Sequence, residues 1–569
     1  MRAVLPFIAT ALLGAAAAYA TVPTPTDKRW NTDLSSQFVT AKNGQFFVNG
    51  SEFRFIGTNA YWLPYLNTDE DIDFTLGNMS AAGISVVRTW AFNDVTSIPE
   101  NGTWLQLIAN GTATINNGTN GLQRLDKVVE LAAKHGIYVL FSLTNNWNPL
   151  FNETNSTTTP TVARRDDAPI TTATPLPRNF LSNSYGGMDA YVREFGQDKL
   201  HSEFYTNMTI RAFFQNYTQA VVSRFANNPR VLSWELANDP RCNSSVPTSD
   251  TCNTNTVTQW HADVSTFVRS VDPNHMVSTG DQGFTCVNCP KLFFKQPAPA
   301  PVPSGAARKR SPARAMSKAR LMQKVIEDRR RSSTSVPADG VKIRGRWSAS
   351  SMAKRQSSGS LGQAFDGSTG VDSQDILSAP DIGFGSLQYF PDQNSYGTNG
   401  QAPFQAPSVN FNDTIQQGID WIQLQAANAQ SIGKPIALTG FGLVTQDNLP
   451  FFVPFNSTVP VQNTAANNGT TTNASPSPDA TGSPGTLGVT GVTDDQRDQA
   501  YSAWLNAGIN AGLTGLIQYQ WSSPNLTSVN GTLVQAQINA TTGTVGQSPN
   551  DGYGTLGYGL IAWPSGCRD

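Results

Sequence analysis

The chain has 569 residues, of which 39% are hydrophobic and 14% charged, and its formal net charge is −2. Core size is therefore no constraint, and one large domain with insertions is possible. Residues 305–355 hold about fifteen Lys and Arg against three acids, so the basic charge lies in one low-complexity stretch. This distribution excludes nucleic-acid binding as a property of the whole folded chain.

Residues 1–20 have the pattern of a secretory signal. Arg2 precedes an apolar body from Val4 to Ala17, and the stretch ends on the small-x-small triplet Ala18-Tyr19-Ala20. We predict cleavage after Ala20 and an extracellular protein with no later membrane span. About seventeen Asn-x-Ser/Thr sites then predict a heavily glycosylated, fungal-type protein.

Five cysteines in an oxidising compartment predict two disulfides and one remaining thiol. Cys242 and Cys252 would close a short loop. Cys286 and Cys289 could pair with each other, or one of them could reach Cys567. Such a Cys-x-x-Cys pair can also indicate zinc or redox chemistry, but one pair and four histidines make a poor set. We expect no metal and no cofactor.

Apolar strand-like runs alternate with helical patterns such as Leu122–His135, and this order is typical of a parallel sheet. The eight predicted strands are Phe53–Ala60, Ile84–Trp90, Ile137–Leu143, Val231–Ala237, His275–Gly280, Ile382–Tyr389, Pro435–Phe441 and Gly515–Gln520. Before them, Phe38–Phe55 alternates around two Asn-Gly pairs and predicts a hairpin. We therefore predict an α/β fold, a single (β/α)₈ TIM barrel over residues 38–565, capped at its bottom by this hairpin.

Four long polar segments follow predicted strands, so all four would lie over the same end of the barrel. They span residues 148–179, 289–370, 445–494 and 522–552. We expect them to be mostly disordered and glycan-decorated. The second is basic, with a possible helix at 313–331, and we hypothesise that a dibasic protease can cleave it at Lys309-Arg310 or Lys354-Arg355.

The fourth predicted strand ends abruptly on polar residues, in Val231–Cys242 (VLSWELANDPRC). Asn238 and Asp239 before Pro240 could be an ordinary turn. An acid at the carboxyl end of a buried strand is also where parallel barrels hold their chemistry. The motif resembles the acid/base strand of endo-β-1,4-mannanases of glycoside hydrolase family five. Further blocks resemble that family in its own order, and with the inserts excluded they run from about Phe38 to Trp521; they include Gly57–Trp62, Arg88–Asp94, His135–Trp147, Tyr185–Gly196 and Asp272–Phe284.

The resemblance implies retaining hydrolysis of β-1,4-mannan by two carboxyls. It places the acid/base at Asp239, where the family carries Glu, and the nucleophile at Gly440, which has no side chain. The substrate-binding positions that it implies are Arg88, Asn238, Trp62, Asn146, Trp147, Gln388, Phe390 and Tyr519. In the family, the last three of these are His, Tyr and Trp. Trp62 and Trp147 could instead pack the barrel rim, and Arg88 could be a structural ion-pair partner.

Three functions remain open. The first is mannan or glucomannan hydrolysis by an inverting route, with Asp281 or Asp392 as base and water occupying the space left by Gly440. The second is a catalytically inactive carbohydrate-binding barrel, and the third is an extracellular interaction protein without a sugar ligand. We expect a secreted monomer whose partner is a polysaccharide, with no nucleic acid and no membrane contact after signal removal.

Overall fold

The computed structural model describes residues 37–150, 181–295, 341–343, 346–348, 362–397, 407–453, 491–539 and 543–556. Its centre is a parallel barrel whose eight strands, in chain order, are Phe55–Asn59, Val86–Trp90, Tyr138–Ser142, Val231–Glu235, Met276–Ser278, Gly385–Tyr389, Ile436–Phe441 and Gly515–Gln518. Each strand pairs with its neighbour in sequence, and the eighth pairs with the first. A parallel bridge between Ser278 and Phe384 joins the fifth and sixth strands and closes the barrel. The predicted (β/α)₈ fold is confirmed.

Helices cover the outside of the barrel. The described α-helices are Asp69–Ala81, Gln123–Lys134, Met188–Phe195, Glu203–Thr206, Met208–Phe225, Thr254–Val271, Ser373–Leu377, Phe411–Ile432 and Asp494–Ala511, with 3₁₀ turns at Leu63–Tyr65 and Gln446–Phe451. The helix Gln123–Lys134 buries Leu125, Val128, Val129 and Ala132, as its spacing predicted. Of the helices in the described ranges, none has the length and apolar character needed to cross a bilayer.

The strands Thr40–Lys42, Gln45–Val48 and Ser51–Phe53 form a small antiparallel sheet at the amino-terminal end of the barrel. Both of its turns are Asn-Gly pairs with positive φ at each residue, as a two-residue hairpin turn with the sheet's own twist requires. Phe46 is fully buried, and its ring meets Phe384 edge-on at 5.0 Å, just before the sixth strand begins. The predicted cap is confirmed.

Short strands build the opposite, carboxyl-terminal end. They are Asp94–Val95, Gln106–Ala109, Thr112–Ile115, Trp521–Ser522, Gln535–Asn539, Gly543–Gln547 and Thr555–Leu556. Two more short strands, Val341–Ile343 and Arg346–Ser348, pair with each other. The expectation of a mostly disordered segment at 522–552 is wrong, because this segment forms a hairpin and buries Leu526 and Val534 against the barrel. Most of the other three insertions, including the basic helix and the dibasic sites, lies outside the described residues.

Among the described residues, two disulfides are present. Cys242–Cys252 closes the loop behind the fourth strand, as predicted, and Cys286 pairs with Cys289. The second bond settles one alternative, because neither of these two thiols remains available for Cys567, which lies outside the described residues.

Candidate active site

A cavity of about 560 Å³ opens at the carboxyl ends of the strands. Its lining residues are Arg88, Trp90, Trp147, Ser182, Asn183, Asn238, Asp239, Gln282, Gln388, Phe390, Gln393, Gly440, Tyr519 and Asp551. The structure therefore brings together all the site residues predicted from the sequence except Trp62 and Asn146. Its aromatic faces and converging polar groups have the composition expected of a ligand site.

Arg88, at the end of the second strand, is fixed from several sides. Its Nε and Nη2 donate to both oxygens of Glu235, at 3.0 and 2.5 Å. Nη2 also donates to Asn238 Oδ1 at 2.8 Å, and Nη1 donates to Asn59 Oδ1 at 2.9 Å. Both members of the ion pair are buried. Arg88 is thus a structural ion-pair partner and a cavity residue at once, and its charge is compensated by Glu235.

Asp239 has a left-handed backbone with φ of 54°, which Asp tolerates better than most residues. Its Oδ1 accepts from Arg241 Nε at 3.0 Å and Nη2 at 2.6 Å, and its Oδ2 accepts from Nη2 at 2.8 Å. The indole of Trp147 donates to the same Oδ2 at 2.8 Å. A general acid must direct a proton toward the leaving oxygen. Here both carboxylate oxygens already accept hydrogen bonds, from the buried guanidinium of Arg241 and the indole of Trp147.

Gly440, near the end of the seventh strand, has no room for a side chain without movement of its neighbours. A Cβ there would lie 3.1 Å from Phe390 Cζ, 3.3 Å from Phe390 Cε2 and 3.7 Å from Gln388 Cδ. The ring of Phe390 is held in place by edge-on contacts with Tyr519 at 5.5 Å and Tyr553 at 5.4 Å. The predicted nucleophile position therefore holds an aromatic edge where the family has a carboxylate.

The neighbouring Thr439 offers no substitute nucleophile. It is fully buried, and its hydroxyl donates to the Leu387 carbonyl at 3.3 Å, away from the cavity. This orientation follows from the alternation of side chains along a strand.

Two predicted binding residues lie outside the cavity. Trp62 is completely buried at the start of the turn Leu63–Tyr65, so its ring offers no face to a sugar. Asn146 is also completely buried; its Oδ1 accepts from the Arg241 backbone N–H at 3.0 Å, and its Nδ2 donates to the Asn243 carbonyl. The structure therefore does not bring either side chain to the cavity where sugar contact was predicted. Trp62 packs the core, and Asn146 holds the loop that carries Arg241.

Asp281 and Asp392 are likewise absent from the cavity lining. Burial raises the pKa of Asp281 to about 6 and that of Asp392 to about 7. Asp281 accepts from the Gly283 N–H and the Ser373 hydroxyl, and Asp392 accepts from the Val444 N–H. Both carboxyls hold loops in place by these hydrogen bonds and lie outside the cavity lining. The geometry therefore gives no support to either one as the base of an inverting reaction.

Sequence reasoning missed six lining residues, namely Trp90, Ser182, Asn183, Gln282, Gln393 and Asp551. Asp551 is the only carboxyl among them, and burial raises its pKa. Its one sequence signal is the Asp551-Gly552 pair, which indicates a turn and no particular chemistry.

Comparison with known proteins adds the family. Residues 36–299 match the family model described as GH family 5 beta-mannosidase-like. Mannan endo-1,4-beta-mannosidase F of Aspergillus fumigatus is 42% identical over 252 residues, which cover 44% of this chain and 48% of that protein. Residues 36–299 are therefore similar to glycoside hydrolase family 5 beta-mannosidase-like proteins. Mannan endo-1,4-beta-mannosidase A of Aspergillus aculeatus is 35% identical over 251 residues, covering 44% of this chain and 55% of that protein.

The chain spans about half the length of the curated relatives it matches. A crystal structure of an endo-1,4-beta-mannanase from Rhizomucor miehei aligns over 92% of this chain and 95% of its own, with a TM-score of 0.53 and 21% identity. That similarity shows the fold alone. The matched residues 36–299 contain Arg88, Asn238 and Asp239, whereas Gly440 lies beyond them.

Proposed function

We propose that this protein is a secreted family 5 member that binds β-1,4-mannan or a related plant-wall polysaccharide in the barrel cavity and does not hydrolyse it by the retaining mechanism. The polysaccharide is inferred from the mannanase relatives. The observation that carries the proposal is the Phe390 ring edge against Gly440, the position that the sequence resemblance assigns to the nucleophile.

Retaining hydrolysis needs two carboxyls about 5 Å apart, one to donate a proton and one to attack the anomeric carbon. Position 440 supplies no oxygen, so no glycosyl-enzyme bond can form there. Asp239, at the acid position, is held by Arg241 and Trp147. Both halves of the catalytic pair are therefore altered, and the two alterations are independent because they lie on different strands.

The remaining lining is suited to a neutral, hydroxyl-rich ligand. Trp147 and Tyr519 are half-buried aromatic side chains at the cavity, and Asn238 and Gln388 offer amide donors and acceptors. Pyranose rings bind by stacking on such rings and by hydrogen bonds to such amides. Arg88, the cation among the described lining residues, is already paired with Glu235. This pairing favours a neutral polysaccharide over one built from uronic acids.

The test uses the purified secreted protein and two readouts on one panel of galactomannan, glucomannan and cellulose. We expect retarded migration in a mannan-containing native gel, with no release of reducing sugar. We also expect no mass increase after incubation with a fluorinated mannosyl reagent that traps retaining nucleophiles. The matched control is Trp147→Ala, which removes an aromatic face and should abolish retardation.

Sugar release that disappears in Asp239→Asn would overturn the proposal in favour of hydrolysis. Failure to retard on any polysaccharide would favour an extracellular interaction protein. A covalent adduct on the intact protein would refute the assignment of Gly440.

A further inference from the structure

Two loops meet above the first and second barrel strands. One follows the third strand and carries Ser182 and Tyr185, and the other follows the eighth strand and carries Asp551. The side chain and the backbone N–H of Ser182 both hydrogen-bond Asp551. The Ser182 carbonyl in turn accepts from Trp90 Nε1 at 3.1 Å, at the end of the second strand. We call this junction the Ser182–Asp551 bridge.

The bridge is anchored to the barrel beneath it. Tyr61, just after the first strand, donates its hydroxyl to Asp551 Oδ1 at 3.2 Å, and Tyr519, at the end of the eighth, donates to Oδ2 at 2.8 Å. The rings of Tyr61 and Tyr185 meet edge-on at 5.7 Å. A carboxylate has about four acceptor positions, and here four donors converge on one that is only 6% exposed. Asp551 is thus a positioning residue that holds loops together, with little capacity left to bind sugar hydroxyls.

The bridge is also part of the cavity wall, because Ser182, Asn183 and Asp551 all line it. An internal stretch of polysaccharide must leave its binding site at two ends, so it needs an open rim on two sides. Above the first and second strands, the hydrogen-bonded loops form part of the wall of the cavity, so an exit on that side would be obstructed.

We propose that the Ser182–Asp551 bridge closes one end of the cleft, so that the cavity takes the end of a mannan chain and not an internal stretch. This inference rests on the proposed polysaccharide binding and deepens it. The number of protein molecules bound to one mannan chain then depends on the number of ends of that mannan chain and not on its length.

The experiment measures binding stoichiometry by titration calorimetry with mannohexaose and with a soluble linear mannan several tens of sugars long. We expect one protein molecule per chain for both ligands. In a second arm, capping of the non-reducing or the reducing end of mannohexaose should weaken binding at least about tenfold for one of the two ends. Several protein molecules per long chain would overturn the chain-end inference while leaving polysaccharide binding intact. Absence of binding to both ligands would overturn both proposals.

Variants connect the result to the bridge. Asp551→Ala removes the acceptor of all four hydrogen bonds, and we expect more than one protein molecule per long chain. Tyr61→Phe is the matched control, because it removes one anchor from a buried ring outside the cavity, and the stoichiometry should stay at one. An Asp551→Ala protein that folds and still binds one molecule per long chain would refute the role of the bridge. If that variant fails to fold, Ser182→Ala removes the side-chain hydrogen bond of the bridge and leaves the backbone one, so we expect a smaller change in the same direction; the wild-type stoichiometry remains decisive by itself.

Discussion

The packing at position 440 can be tested by adding one methyl group. In Gly440→Ala, the new Cβ lies 3.1 and 3.3 Å from two atoms of the Phe390 ring, which is closer than ordinary van der Waals contact. Overpacking of this kind costs about 1–3 kcal/mol of unfolding free energy. Replacing glycine by alanine where the backbone permits it stabilises by about 0.4–1 kcal/mol. The steric cost exceeds that gain, so the single variant should be less stable than wild type.

The assay is a double-mutant cycle in urea, with Phe390→Leu as the second change. Leucine removes the ring edge that meets the new Cβ, so Gly440→Ala should become neutral or stabilising in that background. We expect a coupling free energy of about 1–3 kcal/mol, the size of the relieved overpacking. The same effect of Gly440→Ala in both backgrounds would show that the Phe390 ring does not fill the space of a side chain at position 440. The claim that Phe390 excludes a carboxylate from this position would then be refuted.

Three further predictions concern the rest of the site. Asp239→Asn leaves the charge of Arg241 without its partner, and it should cost about 3 kcal/mol of unfolding free energy in urea titrations; a cost below about 1 kcal/mol would show that the pair is weak. Burial raises the pKa of Asp392 from 3.8 to about 7, so the folded protein keeps this proton over a range where the unfolded chain loses it. Wild-type stability should therefore fall relative to Asp392→Asn as the pH rises from about 4 to about 7, and parallel melting temperatures across that range would contradict this. Trp147→Ala should weaken mannan binding about tenfold or more in affinity gels, whereas Trp62→Phe should leave binding unchanged and lower only the melting temperature.

The barrel could be predicted because its strands are buried on both sides and therefore appear as continuous apolar runs. The fourth strand, Val231–Glu235, is buried at every position. The ends of the strands were predicted less accurately: the strand predicted at His275–Gly280 spans Met276–Ser278 in the structure. Pairing stops when backbone groups take other partners, and the partners that end a strand are not visible in its own sequence.

The site was only partly predictable, because a position at a strand end fixes the edge of the barrel but not the direction of a side chain. Trp62 follows the first strand closely, yet the turn Leu63–Tyr65 directs its ring into the core. The side chain of Asn146 is occupied by Arg241, which is 95 residues away in sequence. Asp551 lies in a polar segment without periodicity, and its importance follows from loops that converge only in the folded chain.

Each altered position is constrained by its own neighbours, and for this reason one restored carboxylate should not restore catalysis. A glutamate at position 440 has to displace the Phe390 ring, which is held between Tyr519 and Tyr553. A glutamate at position 239 remains beside the Arg241 guanidinium and the Trp147 indole, which already donate to the oxygens of Asp239. At the cavity, Arg88 pairs with Glu235 and also contacts the amide of Asn238. Under the proposed function, these are interactions that would bind a sugar, whereas the groups that would break a glycosidic bond are missing at position 440 and already hydrogen-bonded at Asp239.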